Sequence, residues 1–300
     1  MRNEETMSKK IHNLFCRVCV FILVAEVLTG CLLTAGCTKR QPQDERTTSK
    51  QPAGPKADSR AIQITVLYDN YTLSDEYMPD WGFSCIFTGT QKCILFDTGA
   101  NENILLDNMD KLKVRAQDVN LVIISHDHPD HTAGLSSFLD RHSNVLAYLP
   151  STASGKLVNK VESRGSKAQK PDRTLQICEG VHIAALAFNN NVKQFLVLDT
   201  TEGLVVVTGC AHPGIVEIVK KARQTFFKDV HLVFGGFHLL DLSDSKIKNV
   251  IQQLRDLGVR KVGPSHCTGD RAIELFKQEY GDNFVQIGVG RTGITVHKPQ

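Results

Sequence analysis

Apolar and polar positions follow two rhythms along this chain. Runs of strand length, rich in β-branched and aromatic residues, recur at Ile62–Leu67, Phe83–Phe87, Cys93–Phe96, Leu121–Ile124, Val145–Leu149 and Val181–Ala187. They continue at Phe195–Leu198, Leu204–Val207, His231–Phe234, Val259–Val262, Phe284–Ile287 and Gly293–Val296. Between them, apolar residues spaced by three and four predict helices at Asn101–Met109, Ala133–Arg141, Gly214–Thr225, Asp244–Leu257 and Arg271–Glu279. Hairpins alone would build a β-sandwich, and strict alternation of strand and helix a parallel sheet. The mixture predicts an α/β domain of two sheets packed face to face with helices outside. The stretch from Pro150 to Leu175 has Ser, Gly and Lys but little apolar periodicity, and reads as a long loop.

The amino end follows another pattern. Lys9-Lys10 precede a largely apolar run from Val18 to Gly36 whose only charge is Glu26, and a polar stretch follows. This is the layout of an export signal, and small residues before a cysteine suggest a lipoprotein type. Cys37 follows Leu33-Thr34-Ala35-Gly36 and is favoured as the acylated residue; Cys31 follows Leu28-Thr29-Gly30 but has Glu26 close upstream. An uncleaved anchor is the competing reading, since about nineteen residues just span a bilayer core. A central Glu would cost that anchor roughly 2–3 kcal/mol. The expectation is a lipoprotein-type signal over residues 1–37, a flexible linker over 38–60 and a folded domain over 61–300. The domain would then be exported and tethered to a bacterial membrane.

With 41% apolar residues in 300, the chain can bury a sizeable core, which excludes disorder throughout. Thirty-five Lys and Arg against 32 Asp and Glu leave a net charge of +3, with no basic run in the domain, so no nucleic-acid partner is expected. Nine cysteines are too sparse for a disulfide scaffold. Cys85, Cys93, Cys178 and Cys267 read as buried free thiols.

The chemistry concentrates after the strand Leu121–Ile124, in Ser125-His126-Asp127-His128-Pro129-Asp130-His131-Thr132-Ala133-Gly134. Three His and two Asp in six positions is not core composition. Imidazole nitrogen and carboxylate oxygen bind zinc and similar divalent ions, and a loop at a strand end lets alternate side chains aim at one point. His126 and His128 would hold one ion, and Asp130 and His131 a second beside it. His212, after the strand Leu204–Val207 at a glycine turn, is the best third ligand for the first ion.

This string resembles the His-x-His-x-Asp-His signature of the metallo-β-lactamase superfamily, and the resemblance spans the domain. It implies a four-layer αββα sandwich and a catalytic pair of divalent ions, zinc foremost, with manganese or iron as alternatives. Phe96-Asp97-Thr98-Gly99 resembles the superfamily's early Asp-bearing strand end, which supports the metal loop; read locally, Asp97 could instead cap a helix near Asn101. Tyr68-Asp69-Asn70, Trp81-Gly82-Phe83-Ser84, Thr208-Gly209-Cys210-Ala211-His212-Pro213-Gly214-Ile215, Gly235-Gly236-Phe237-His238-Leu239 and Ser265-His266-Cys267-Thr268-Gly269 are similar to one branch. That branch is named for dihydropterin-6-yl-methyl-(ribofuranosyl)aminobenzene 5′-phosphate synthase. An exported copy fits a cytosolic coenzyme pathway poorly, so the fold and metal chemistry are carried over, and the pterin substrate is not.

Where the wider superfamily places a bridging Asp, this chain has Cys210. Cys210 either supplies a thiolate ligand or is a packed thiol with His212 replacing the missing contact. For the second ion His266 matches the superfamily's last His-bearing turn, and His238 competes; the other would be a substrate-side group or general acid. Two ions about 3.5–4 Å apart would bring a bridging water's pKa towards neutrality, giving a metal-bound hydroxide for hydrolysis, with Asp130 orienting the water and His238 protonating the leaving group. The expected activity is hydrolysis of a phosphodiester, phosphate ester, lactone or similar small ester in the cell envelope. The rival is a non-catalytic, metal-containing binding protein. Alanine at Asp130 or His131 should abolish turnover and leave the fold largely intact.

Overall fold

A computed structural model describes residues 61–299. The signal segment, Cys31, Cys37 and the linker lie outside those residues. Among the described residues no helix is long and apolar enough to cross a membrane.

The chain runs through β1 (Ala61–Tyr68), β2 (Ser84–Thr88), β3 (Ile94–Phe96), α1 (Glu102–Lys111), β4 (Leu121–Ile123), α2 (Pro129–Thr132), α3 (Leu135–Arg141), β5 (Leu146–Tyr148), α4 (Gly155–Glu162) and β6 (Lys167–Gln169). It continues through β7 (Leu175–Cys178), β8 (Val181–Phe188), β9 (Asn191–Thr200), β10 (Gly203–Cys210), α5 (Ile215–Phe226), β11 (Val230–Gly236), α6 (Asp244–Asp256), β12 (Lys261–Ser265), α7 (Asp270–Tyr280) and β13 (Ile294–His297). One sheet has the order β13-β1-β2-β3-β4-β5-β6 and the other β12-β11-β10-β9-β8-β7.

The alternation in β1 turns Ile62, Ile64 and Val66 into the space between the sheets, where they join Phe96 and Ile123 against Leu196, Leu198, Val205, Val207 and Phe234. On the outer face of the first sheet, Leu105, Met109, Leu135, Phe138 and Leu157 dock α1, α3 and α4. On the outer face of the second, Ile215, Ile218, Ile247, Ile251, Leu275 and Phe276 dock α5, α6 and α7. Each such fully buried side chain contributes about 1.5–3 kcal/mol. The result is the expected αββα four-layer sandwich.

Two segments differ from the sequence expectation. The stretch 150–175 is not a loop: it holds α4, capped by Ser154, whose hydroxyl accepts from Leu157 N, and the edge strand β6. α4 has only eight residues and buries Leu157 and Val161, and β6 has three with none buried, so both are too short for their rhythm to stand out. Conversely, Phe284–Ile287 is not a strand; it touches β12 through a single bridge, Val262 to Phe284.

The topology places the site. β3 to β6 run parallel, as do β10 to β12. Their carboxyl ends deliver Asp97 after β3, His126 after β4, Cys210 at the end of β10, His238 after β11 and His266 after β12. Carboxyl ends of parallel strands are where such sheets bind ligands.

Candidate metal centre

Asp97 organises the first half of the loop. It is fully buried and sits at φ +55, a left-handed conformation costly for a non-glycine residue. Its Oδ1 accepts from Ser125 N at 2.6 Å, and its Oδ2 from Ser125 Oγ at 2.6 Å and His131 Nδ1 at 2.8 Å. It does not cap the following helix; Asn101 does. The close approach of this group explains Gly209, where a Cβ would lie 2.2 Å from Ser125 Oγ and 2.4 Å from Asp97 Oδ2.

These bonds settle tautomers. Ser125 Oγ has one proton, which goes to Asp97, so it accepts from His126 Nδ1 at 2.9 Å and leaves His126 Nε2 a bare lone pair. His131 spends Nδ1–H on Asp97 and turns Nε2 to Asp130 Oδ2 at 3.4 Å and Cys210 Sγ at 3.3 Å. His266 points Nδ1 at Asn70 Oδ1, 2.9 Å away, and that oxygen also accepts from Gly82 N at 3.1 Å. The buried His266 Nε2 makes no hydrogen bond and lies 3.3 Å from Asp130 Oδ2. A carboxylate or carbonyl on the far nitrogen of an imidazole is the usual support of a metal ligand.

Two donor clusters result. His126 Nε2 lies 3.0 Å from His128 Nδ1 and 3.3 Å from His212 Nε2. Burial, then the neighbouring cations, keep these imidazoles uncharged: His126 falls well below the ordinary range, His128 falls, and His212 drops to about 3. Each of these contacts is an N–H···N hydrogen bond in one tautomer and, in the other, a pair of converging lone pairs suited to a cation. Asp130, His131, Cys210 and His266 form the second cluster, with all ligand atoms within 4.8 Å of one another. Burial opposes charge on His131, but Asp97 and Asp130 outweigh it and raise the ring to about 10. Burial would lift Asp130, yet His131 and His266 hold it far below the carboxylate range. Surroundings this negative favour any cation, and the mixed N, O and S donors suit zinc or a neighbour. The residues present fit a two-ion centre.

His238 stands exposed at the mouth with φ +59, its ring 4.2 Å from that of His212. It forms a third cluster with Cys210 and Cys267. Cys267 is a buried free thiol as expected, but its Sγ lies 3.0 Å from Cys210 Sγ, a placement its sequence gave no reason to suspect. Burial raises both thiols; the imidazoles of His238 and His266 beside Cys267 draw the negative charge there, and Cys210 keeps the proton. Gly236 makes room, since a Cβ there would lie 2.7 Å from Cys267 Sγ and 3.1 Å from His266 Cδ2.

All seven residues singled out as metal or catalytic candidates in the loop and the later turns, His126, His128, Asp130, His131, Cys210, His212 and His266, meet at this end of the sandwich, with His238 at its rim. Sequence reasoning missed four neighbours. Asn70 orients His266, and Trp81 donates from Nε1 to Asp130 Oδ2 at 3.2 Å with its ring 4.9 Å from that of His266. Both stand in strings noted for their resemblance, without an assigned role. Cys267 is the third. The fourth, Lys193, announces itself only as a lysine inside a buried strand; it lines a cavity of about 210 Å³ with His126 and His128.

Known proteins agree with this geometry. Residues 82–223 match the model of the metallo-beta-lactamase superfamily. The chain is 28% identical over 277 residues to the 7,8-dihydropterin-6-methyl-4-(beta-D-ribofuranosyl)-aminobenzene-5'-phosphate synthase of Methanocaldococcus jannaschii, covering 74% of this chain and 94% of that protein. A solved structure described as a metal-dependent hydrolase of the beta-lactamase superfamily is 28% identical and superposes with a TM-score of 0.65 over 77% of this chain and 98% of that one. A diphosphatase of the PhnP family shares the fold at 12% identity, with a TM-score of 0.57 over 79% and 98% of the two chains. On the sandwich, the donor set and these matches together, the protein carries a domain of the metallo-β-lactamase superfamily.

Proposed function

We propose that the protein is a metal-dependent hydrolase of a small ester, a phosphodiester, phosphate ester or lactone. The observation that carries this reading is the set of ring nitrogens of His126, His131 and His266 turned inward, each oriented by a hydrogen bond on the opposite nitrogen. His126, His128 and His212 would hold one cation and Asp130, His131 and His266 the other, with the Cys210 sulfur against both sets. Divalent cations bound there would supply Lewis acidity and a nucleophile from water at neutral pH.

The chain's own groups do the rest. Trp81 Nε1 donates to Asp130 Oδ2, the oxygen that faces His131 and His266, which leaves Oδ1 to orient the attacking water. The Cys267 sulfur raises His238 above the ordinary imidazole value, which favours a proton on this exposed ring for the leaving group. The relative named as a 5'-phosphate synthase supports a phosphorus-containing ester over a lactone. The apolar run and the cysteines near its end support export, with Cys37, or Cys31, acylated and the domain tethered in the cell envelope.

The full chain loaded in turn with zinc, manganese and iron should bind about two ions and hydrolyse at least one of bis(p-nitrophenyl) phosphate, p-nitrophenyl phosphate or a model lactone. A chelator should abolish that turnover and the same metal restore it. Two bound ions with no turnover on any of these would sink the hydrolase reading in favour of a metal-containing binding protein. Fatty-acid labelling lost in Cys37→Ser would support the tether; labelling lost only in Cys31→Ser would move it.

A further inference from the structure

Lys193 is the third residue of β9 and only 6% of its surface is exposed. Its strand is anchored where the metal loop begins: Gln194 N donates to Ser125 O at 2.8 Å, and Val192 N to Thr152 Oγ1 at 2.9 Å. Two neighbouring lysines are committed to backbone carbonyls, Lys160 to Thr132 O at 3.0 Å and Lys170 to Ala153 O at 3.1 Å, while Lys156 faces a separate hollow beside Asp127. Lys193 has no ion pair and no hydrogen bond among the described residues. Its cavity, beside His126 and His128, is also lined by Pro150, Val192, Thr152, Ser154, Asn191 and Asp127, whose carboxylate accepts from Ser154 N at 2.9 Å. Its stem is packed away while the ammonium, bonded to no described residue, is left at the cavity to pair with a ligand that brings the counter-charge.

We propose that Lys193 is the substrate-recognition residue of this centre, an ammonium that pairs with an oxyanion, phosphoryl or carboxylate, carried by the ester. This rests on the hydrolase reading above and narrows it to anionic substrates. The cavity of about 210 Å³ takes a phosphoryl or carboxylate group and excludes a large apolar acyl chain on that side. Lysine suits the task as a compact point charge with three donors, and its seat on a strand tied to the loop fixes its distance from the reacting bond.

The test compares the metal-loaded full chain with Lys193→Met and Lys193→Arg. Lys193→Met should keep its bound metal and its thermal midpoint. It should lose about 10- to 100-fold in kcat/KM on p-nitrophenyl phosphate, mostly through KM, as expected for a charged hydrogen bond. On p-nitrophenyl acetate, which has no charge to pair, it should change less than twofold; p-nitrophenyl hemisuccinate reports whether a carboxylate serves as well as a phosphoryl group. Lys193→Arg should recover most of the loss. Inorganic phosphate, titrated by calorimetry or by the fluorescence of Trp81, the chain's one tryptophan, should bind Lys193→Met more weakly by a similar factor. That binding is readable without turnover, so a protein that hydrolyses nothing yet loses phosphate affinity in Lys193→Met would refute the hydrolase reading and keep the anion site. Equal losses on neutral and anionic esters, unchanged phosphate affinity, or loss of metal from Lys193→Met would each overturn the proposal. Should Lys193→Met fail to fold, Lys193→Gln takes its place with the same expectations.

Discussion

The two halves of the metal centre are built from the same residue types and held in opposite ways. Around Asp130, His131 and His266 the far nitrogen of each imidazole is bonded, to Asp97 and to Asn70, and both rings are essentially inaccessible. Around His126, His128 and His212 only His126 is braced, by Ser125, while His128 is exposed and His212 half-buried. The cavity with Lys193 opens on this second half. One half is therefore part of the core and the other part of the surface. A donor locked in the core keeps its geometry at the expense of stability when removed, whereas a surface donor can be lost with little consequence for the fold.

Breaking this contrast should give its largest effect at His131. Replacing it by Ala leaves the Asp97 carboxylate buried without its imidazole, a loss of about 3–5 kcal/mol in the chelated protein by denaturant unfolding. This revises the simple expectation that the fold survives at both acidic-loop positions: it should survive at the partly exposed Asp130, and burial argues against it at His131. An unchanged unfolding midpoint in His131→Ala would show that the two halves are not held differently.

Asp69 lies behind the same half, fully buried, and burial pushes its carboxyl up to about 7 despite the bond from the Tyr71 amide. The folded state thus holds this proton at pH values where the unfolded chain, near 4, has released it. Stability should fall as pH rises between about 4 and 7 and then level off. Asp69→Asn should remove that decline, gaining roughly 1–3 kcal/mol above pH 7 and almost nothing at pH 4. Urea unfolding of the chelated proteins at both pH values decides the matter; a gain equal at the two would show that Asp69 does not titrate in this window.

Asn70→Ala frees His266 to rotate and should weaken one of two bound equivalents about 10- to 100-fold, leaving the other unaltered. Metal titration followed by calorimetry should then resolve a tight step and a weakened one. His128→Ala sharpens the comparison from the other side: turnover should vanish, yet the chelated protein should lose less than about 1 kcal/mol, as for an ordinary surface substitution. A large loss there would mean that the open half is as much a part of the core as the closed one.

How far these halves can be read from sequence follows the same division. His126, His128, Asp130 and His131 are legible because ligands on one loop fall within six positions, and a density of imidazoles and acids that no core would tolerate gives them away. Cys210, His212 and His266 are legible from glycine-bounded strand ends and family resemblance. Asn70, Trp81, Cys267 and Lys193 are not, because an asparagine, a tryptophan, a thiol or a lysine acquires its role from what it faces. α4 and β6 escape notice for a related reason: an edge strand and a two-residue hydrophobic stripe bury too little to leave a pattern.

The sequence by itself determined the elements that bury apolar faces and the loop that gathers most of the donors, since periodicity and local composition are properties of neighbours along the chain. Only the tertiary structure decided which imidazole nitrogens are left bare, that Cys267 meets Cys210, and that Lys193 opens beside His126. Those facts depend on the carboxyl ends of parallel strands in two different sheets arriving at one place. The packing of the sheets sets that meeting, and no spacing along the chain records it.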